Sequence, residues 1–221
     1  IKGIAEKKGG DVPQPRKQYP SLRRWLIKLH GDLLAIHNII DPYAAIYPEA
    51  LSDFERLVLT LEDRRFFKHM GIDWKRIVRE AFRAITFRTH GGASTIDMQL
   101  VRTATNYRER KIRRKLYEAL LAYIIQHRYS KLEIMRSYLR IAYFGTGMKG
   151  SESAARQLYS MHPTQLNVDQ AANIAAMLVF PRPRNPSANW EHKHLRRANY
   201  IKAVYARRKD SFDKLEKRIF S

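Results

Sequence analysis

An all-α fold is predicted by three features of this 221-residue sequence. Apolar residues recur at helical spacing in one segment after another. No segment alternates convincingly at the two-residue period of a half-buried strand. Serine followed three residues later by glutamate, at Ser52/Glu55 and again at Ser130/Glu133, opens two of the periodic runs as a capping box does.

Residues 1–20 read as a tail, because Gly3, Gly9, Gly10, Pro13, Pro15 and Pro20 interrupt any period. Leu22 to Ile40 carries Leu22, Trp25, Leu26 and Leu29 opposite Arg23, Arg24 and Lys28, a basic amphipathic helix that suits an anionic lipid surface or packing on its own domain equally well. The helix capped by Ser52 turns Phe54, Leu57, Val58 and Leu61 to one side. Trp74 to Phe87 forms a second, with Ile77, Val78, Ala81 and Ile85 expected inward and Lys75, Arg76, Arg79 and Arg83 outward. Gly91 and Gly92 break the chain before a third helix. Lys111 to His127 is a fourth, striped by Ile112, Leu116, Leu120, Tyr123 and Ile124, and Ser130 opens a fifth that runs toward Phe144. Gly145, Gly147 and Gly150 open a turn, followed by helices over Glu152 to Tyr159 and Val168 to Phe180. Prolines from Pro181 to Pro186 make an extended connector, and a basic helix from about His192 to Arg208 closes the fold. The organisation expected is a basic tail and amphipathic helix over 1–44, a catalytic core over 45–190, and a C-terminal helical segment over 191–221 that completes one domain.

Lysine and arginine number 42 against 21 aspartates and glutamates, a formal charge of +21. Apolar residues at 44% rule out intrinsic disorder despite that charge, and the absence of cysteine excludes disulfides and thiolate metal sites. The excess charge predicts an anionic partner: nucleic acid, an acidic membrane surface or a phosphorylated substrate. The longest uncharged runs, such as Gln170 to Pro181, fall short of the roughly 18 apolar residues that span a bilayer. The sequence begins at Ile1 rather than methionine, so a membrane anchor is expected upstream.

Two carboxylates stand out. Glu62 lies four residues after Val58, at the edge of an apolar stripe, where partial desolvation suits proton transfer near neutral pH. Glu118 follows Arg114 by one turn and Lys115 by three residues, so neighbouring cations hold it ionised. Carboxylates pushed in opposite directions form an acid/base or charge-stabilising pair. Gly91-Gly92-Ala93-Ser94-Thr95 offers free backbone N–H groups at a helix start, and Arg102, Arg110, Arg113, Arg114 and Lys115 follow closely enough to clamp a diphosphate.

These pieces together resemble glycosyltransferase family 51. The family's first motif, E-D-x-x-F-x-x-H-x-G, is matched by Glu62, Asp63, Phe66, His69 and Gly71. The second, G-G-S-T-I-T-Q-Q, is similar to Gly92-Ala93-Ser94-Thr95-Ile96-Asp97-Met98-Gln99. Arg114, Lys115 and Glu118 match the third, R-K-x-x-E; Arg128 to Lys131, Glu133, Ile134, Tyr138 and Leu139 follow the fourth. The resemblance covers roughly residues 45–190. It implies a lysozyme-like fold of two lobes, the smaller facing a membrane, that polymerises lipid II into glycan strands. Glu62 takes the place of the general base. Glu118 takes that of a second carboxylate, assisting the departing diphosphate directly or through a divalent ion. Ser94, Thr95, Gln99, Arg102, Arg110, Arg114, Lys115 and Arg128 would hold the diphosphate and sugars, while Asp63, Phe66, His69 and Gly71 are structural.

The resemblance further implies no organic cofactor, allows Mg²⁺ or Mn²⁺ near Glu118, and puts the domain on the outer face of the cytoplasmic membrane with other cell-wall synthesis proteins. Asp97, Met98, Arg136 and Arg140 depart from the family pattern; Asp97 is expected to add negative charge near the diphosphate, Arg136 and Arg140 positive charge. The alternatives are a divergent, weakly active lipid II-binding paralogue and a basic nucleic-acid-binding module. The second lacks any helix-turn-helix, zinc-finger or stacking signature, so nucleic acid is not the expected partner.

Overall fold

The computed structural model describes residues 22–43, 50–85, 94–106 and 111–219. The tail over 1–20, the boundary at 44/45, Gly91, Gly92, Ala93 and Arg110 lie outside them. Ten α-helices run through the described residues: α1 (Leu22–Ile40), α2 (Asp53–Glu62), α3 (Trp74–Ile85), α4 (Ile96–Thr105), α5 (Ile112–Ile125), α6 (Lys131–Ile141), α7 (Ser151–Tyr159), α8 (Val168–Ala176), α9 (Ala188–Ala206) and α10 (Lys209–Ile219). The class is all-α, as the periodicity predicts. A hairpin of two short strands, β1 (Tyr143–Gly145) and β2 (Met148–Lys149), stands where a turn is expected. Strands of three and two residues are too short to register as alternation. Arg182, from the proline-rich connector, joins β1 by donating its N–H to Phe144 O at 2.9 Å and accepting from Thr146 N at 2.8 Å.

Both expected capping boxes form: the Ser52 and Ser130 hydroxyls accept from Glu55 N and Glu133 N, and each glutamate accepts in return from its serine's N–H. Helix α8 ends at Ala176, short of Phe180, and α9 starts at Ala188 on a Ser187 cap, before His192. The expected boundary at 190/191 therefore falls inside a single helix. In one group, α8 packs along α9 and against α2; in the other, α4 packs against α1, α5 and α6. A shared apolar core joins them, with Phe54 and Leu57 from α2, Leu100 from α4, Leu121 from α5 and Ile174 from α8 all buried.

Helix α1 is divided in its role. Ile36 and Ile40 are fully buried and Leu29 and Leu33 pack beside them, whereas Leu22, Leu26 and Ile27 at the N-terminal end are exposed. Helix α3 departs in part from the sequence expectation: Lys75 and Arg79 are exposed as expected and Ile77 is half-buried, but the rest of its described apolar side is not inward. Val78 is 68% exposed, and Trp74 and Phe82 join it outside, while Arg76 is half-buried and Glu80 buried. The side chains of Ala81, Arg83 and Ile85 lie outside those described. On α5 the stripe of Ile112, Leu116, Leu120 and Tyr123 faces solvent, and Leu121, Ala122 and Ile125 form the inner face. The result is one continuous apolar flank, where Met70, Trp74, Leu116 and Leu120 line a cavity of about 680 Å³.

Two departures from the family pattern prove to be framework. Arg136 donates from Nε to Glu55 Oε1 at 2.6 Å and from Nη2 to Ala50 O at 2.9 Å, so the carboxylate that closes the α2 capping box also neutralises a buried guanidinium. Arg140 donates to Ile39 O at 3.3 Å and Ser137 Oγ at 3.2 Å, joining α6 to the end of α1.

Three tyrosine hydroxyls donate to carboxylates that join elements: Tyr117 to Asp32 at 2.8 Å, Tyr205 to Asp53 at 2.5 Å, and Tyr129 to Asp41. Burial first, and then the bonded carboxylate, push all three phenols above the ordinary value of 10.0, Tyr205 to about 12. A phenol raised on folding contributes stability that is complete below the unfolded value and lost as the pH rises toward the folded one. The denaturation midpoint should accordingly fall as the pH is raised above 10, with a further step of phenolate absorbance, from these three phenols, accompanying unfolding.

Candidate active site

Glu62 is the last residue of α2, and its half-buried carboxylate emerges where that helix ends. Its Oε2 accepts from Gln99 Nε2 at 2.8 Å. The orientation of the Gln99 amide is fixed from behind, because its Oε1 accepts from the Tyr138 hydroxyl. Burial and then the nearby charge of Glu62 push the Tyr138 phenol far up, so it remains a donor at any physiological pH. The guanidinium of Arg76 reaches Glu62 as well, but donates to the backbone carbonyl at 2.6 Å. Among the described residues no cation bonds to the Glu62 carboxylate.

Three residues along α4 from Gln99, and so on the same face of the helix, Arg102 holds the second carboxylate. Its Nε and Nη2 each donate at 3.2 Å to the two oxygens of Glu118, and Nη2 also donates to Ser94 Oγ at 3.1 Å. Arg114, one turn before Glu118 on α5, places Nε 3.0 Å from Oε1, an ion pair without hydrogen-bond alignment. Glu118 is fully buried. One negative charge under two guanidinium groups leaves a local positive excess, and it is the arginines that reach solvent, the Arg102 side chain being 37% exposed. Glu118 and Glu62 share no described cavity; successive positions on α4 connect them. Glu62 instead lines a polar cavity of about 310 Å³ with Arg76, Arg79, Arg197 and Tyr200.

The other expected contacts divide clearly. Thr95 is buried and its hydroxyl is committed twice, accepting from Met98 N at 3.2 Å as the α4 cap and donating to Gly71 O at 2.6 Å, so it has a structural place rather than a ligand-binding one. Lys115 is exposed and makes no ion pair with Glu118, against the expectation that both cations share its face. Arg128 pairs with Asp41 at 3.3 Å and lies against the Tyr129 ring, away from both carboxylates.

Asp63 and Phe66 are buried, His69 is half-buried, and Gly71 is held against α5. Asp63 Oδ2 accepts from His69 Nε2 at 3.0 Å and from Ile96 N at 3.4 Å, an anion at the start of α4. At Gly71, φ is +76°, and a β-carbon there would lie 2.5 Å from Ala122 O. Asp97, expected to bring negative charge to the diphosphate, instead turns into the interior. It is fully buried, accepts from Lys131 Nζ at 3.0 and 3.1 Å and from Gln126 Nε2, and lies beside His69. Burial raises Asp97 and lowers Lys131, each partly offset by the other's charge. Lys131 also sits 4.4 Å over the Phe66 ring. Tyr138, Arg76 and Lys131 were not singled out by sequence as site residues. Lys131 and Tyr138 do belong to the fourth motif, which marks them without showing their partners.

The fit of a divalent ion can be judged from these donors. Both Glu118 oxygens are taken by guanidinium groups. Ligand atoms of Asp63, His69 and Asp97 all lie within 4.8 Å of one another, but the Lys131 ammonium already supplies the positive charge there. Neither cluster suits a resident metal.

Residues 43–205 match the model of the transglycosylase family. The chain belongs to that family. It is 33% identical over 154 residues to penicillin-binding protein 2a of Streptococcus pneumoniae serotype 2 strain D39, an alignment covering 70% of this chain and 21% of that protein. It is 36% identical over 160 residues to the biosynthetic peptidoglycan transglycosylase of Bordetella avium, covering 70% and 64%. With penicillin-binding protein 1A of Aquifex aeolicus the identity is 41% over 143 residues, covering 63% and 19%. The chain thus spans about a fifth of the length of the penicillin-binding proteins it matches. Within this transglycosylase fold, α10 lies beyond the matched segment.

Replacing Asp97 by alanine leaves the Lys131 ammonium buried without its carboxylate, which should cost about 3 kcal/mol and lower the thermal midpoint by roughly 6–12 °C. Asp97→Leu combined with Lys131→Met, measured by the same thermal melt, should lose less than the two single variants together, because no buried charge is then left alone.

Proposed function

We propose that this chain is a peptidoglycan glycosyltransferase that polymerises lipid II. Glu62 accepts the proton of the acceptor GlcNAc 4-hydroxyl as that oxygen attacks the anomeric carbon of the donor MurNAc. The new glycosidic bond forms with inversion as the bond to the diphosphate breaks, and undecaprenyl pyrophosphate leaves. Arg102, Arg114 and Ser94 meet the charge that grows on the leaving diphosphate. Glu118, buried beneath them, acts through the arginines by fixing their direction and opposing their mutual repulsion. The observation that carries this reading is the α4 face itself: Gln99 on Glu62 and Arg102 on Glu118, three residues apart. The donors around Glu118, both of whose oxygens are taken by guanidinium groups, do not suit a metal.

The polar cavity on the other side of Glu62 is read as the acceptor side, since Arg79 and Arg197 suit the diphosphate of a second lipid-linked disaccharide. The apolar flank of α3 and α5, with the exposed N-terminal end of α1, suits the outer leaflet of a membrane, and Arg23, Arg24, Arg113 and Lys115 beside it suit anionic headgroups. No described helix is long and apolar enough to cross a bilayer. On this reading the domain works at the outer face of the cytoplasmic membrane, where its substrate is embedded.

With fluorescent lipid II in detergent, Glu62→Gln should lower polymer formation by about 10²–10⁴-fold while the thermal midpoint stays near wild type. Equal polymer from that variant would overturn the assignment. Tyr138→Phe frees the Gln99 amide to turn away from Glu62; about a tenfold fall in kcat with KM nearly unchanged is expected, as for an interaction used in the transition state.

A further inference from the structure

Behind the loop that follows Glu62, α10 and the end of α9 enclose a separate cavity of about 170 Å³. Its floor is apolar: Leu59, Phe66 and Phe212 are buried, with Phe67 and Leu215 half-buried around them. Its rim carries Arg64, Lys68, Arg208, Lys214 and Arg218, and among the described residues none of the five pairs with a carboxylate. The guanidinium of Arg64 donates only to neutral oxygens, Thr60 O at 3.1 Å and Tyr200 Oη at 3.0 Å. Burial, and after it the charge of Arg64, push Arg208 below its ordinary value. Asp63 is the one acid lining the cavity, and its oxygens are spent on Arg65 N, His69 and Ile96 N.

The arrangement of charge on α10 sharpens the point. Two of its three acids, Asp213 and Glu216, turn toward α2, pairing with Arg56 at 3.2 and 2.6 Å, and Glu216 also accepts from Leu51 N at 2.9 Å; the third, Asp210, is exposed one turn before Lys214 and does not line the cavity. Lys214 and Arg218 are left on the cavity side. Like charges gathered at an apolar opening repel one another until an anion neutralises them. The volume is well below the roughly 300–1,000 Å³ of sites for drug-sized ligands and suits one side chain.

We propose that this cavity docks an acidic peptide segment of a partner protein, which inserts one apolar or aromatic side chain between Phe212 and the Phe66–Phe67 loop and sets its flanking carboxylates on the basic rim. The proposal stands apart from the chemistry at Glu62, although its occupant touches Asp63 to Phe66, the residues that follow the base in the chain.

The test is fluorescence anisotropy of the whole chain with a labelled EEFEE peptide at about 0.15 M salt, where exposed charges are screened beyond a Debye length. An EEAEE peptide lacking the anchor should bind at least about tenfold more weakly, as expected when one buried anchor dominates an interface. Lys214→Glu with Arg218→Glu, both exposed and therefore tolerated by the fold, should weaken EEFEE at least about tenfold and gain affinity for a KKFKK peptide. Thermal melts report whether each variant remains folded. Equal binding of EEFEE and EEAEE, or binding indifferent to the rim reversal in a folded variant, overturns the proposal. So does a reversed rim that loses binding to phosphatidylglycerol vesicles while keeping EEFEE, because the cavity edge then serves lipid.

Discussion

One turn of α4 must hold two acids that need opposite surroundings. Gln99 touches Glu62 with a neutral amide, which orients the carboxylate without neutralising it. Arg102 touches Glu118 with a full positive charge, without which that buried carboxylate would be very costly. Much of the surrounding architecture keeps this turn in place. Asp63 caps the first N–H of α4, Thr95 ties its cap to Gly71, and Asp97 fastens its first turn to α6 through Lys131. These three links are interior and each is hydrogen-bonded, the condition under which buried polar groups lend rigidity rather than instability.

The net charge of +21 does not spread as a uniform coat. Several arginines are consumed by the framework: Arg136 on Glu55, Arg140 on the end of α1, Arg56 on α10. Others cluster around Glu118, along the polar cavity beside Glu62, and at the mouth behind the loop that follows Glu62. In all three places cations outnumber the acids available to them. Counting charge by sequence position, as for Asp97 near the second motif, misjudges the electrostatics because burial and partners decide where a charge is felt.

Much of this was legible in the residues alone. Capping boxes at Ser52 and Ser130 and the Arg114–Glu118 pair are local, set within three or four residues, and they form as read. The motif members Asp63, His69 and Gly71 make interior hydrogen bonds and a close main-chain approach. What misled was direction. Periodicity reveals that α3 and α5 each have an apolar side, but not whether that side meets protein or something else, and both proved to turn much of it outward. Asp97 meets Lys131 across 34 positions, and Tyr138 meets Gln99 across 39; spacing along one helix carries no trace of such pairs. The hairpin at Tyr143 was too brief to leave a pattern.

Gly71 joins its loop to α4 and α5 through its main chain alone. Its carbonyl receives Thr95, and its bare α-carbon rests against the peptide carbonyl of Ala122, with no side chain between loop and helix to act as a cushion. Side chains can rotate to absorb small slippages; a main-chain contact has nothing to rotate. The motif loop, the start of α4 and the middle of α5 therefore behave as one solid piece, and the span from Glu62 to Glu118 works as a fixed ruler. Any breathing of the molecule has to occur around that piece rather than through it.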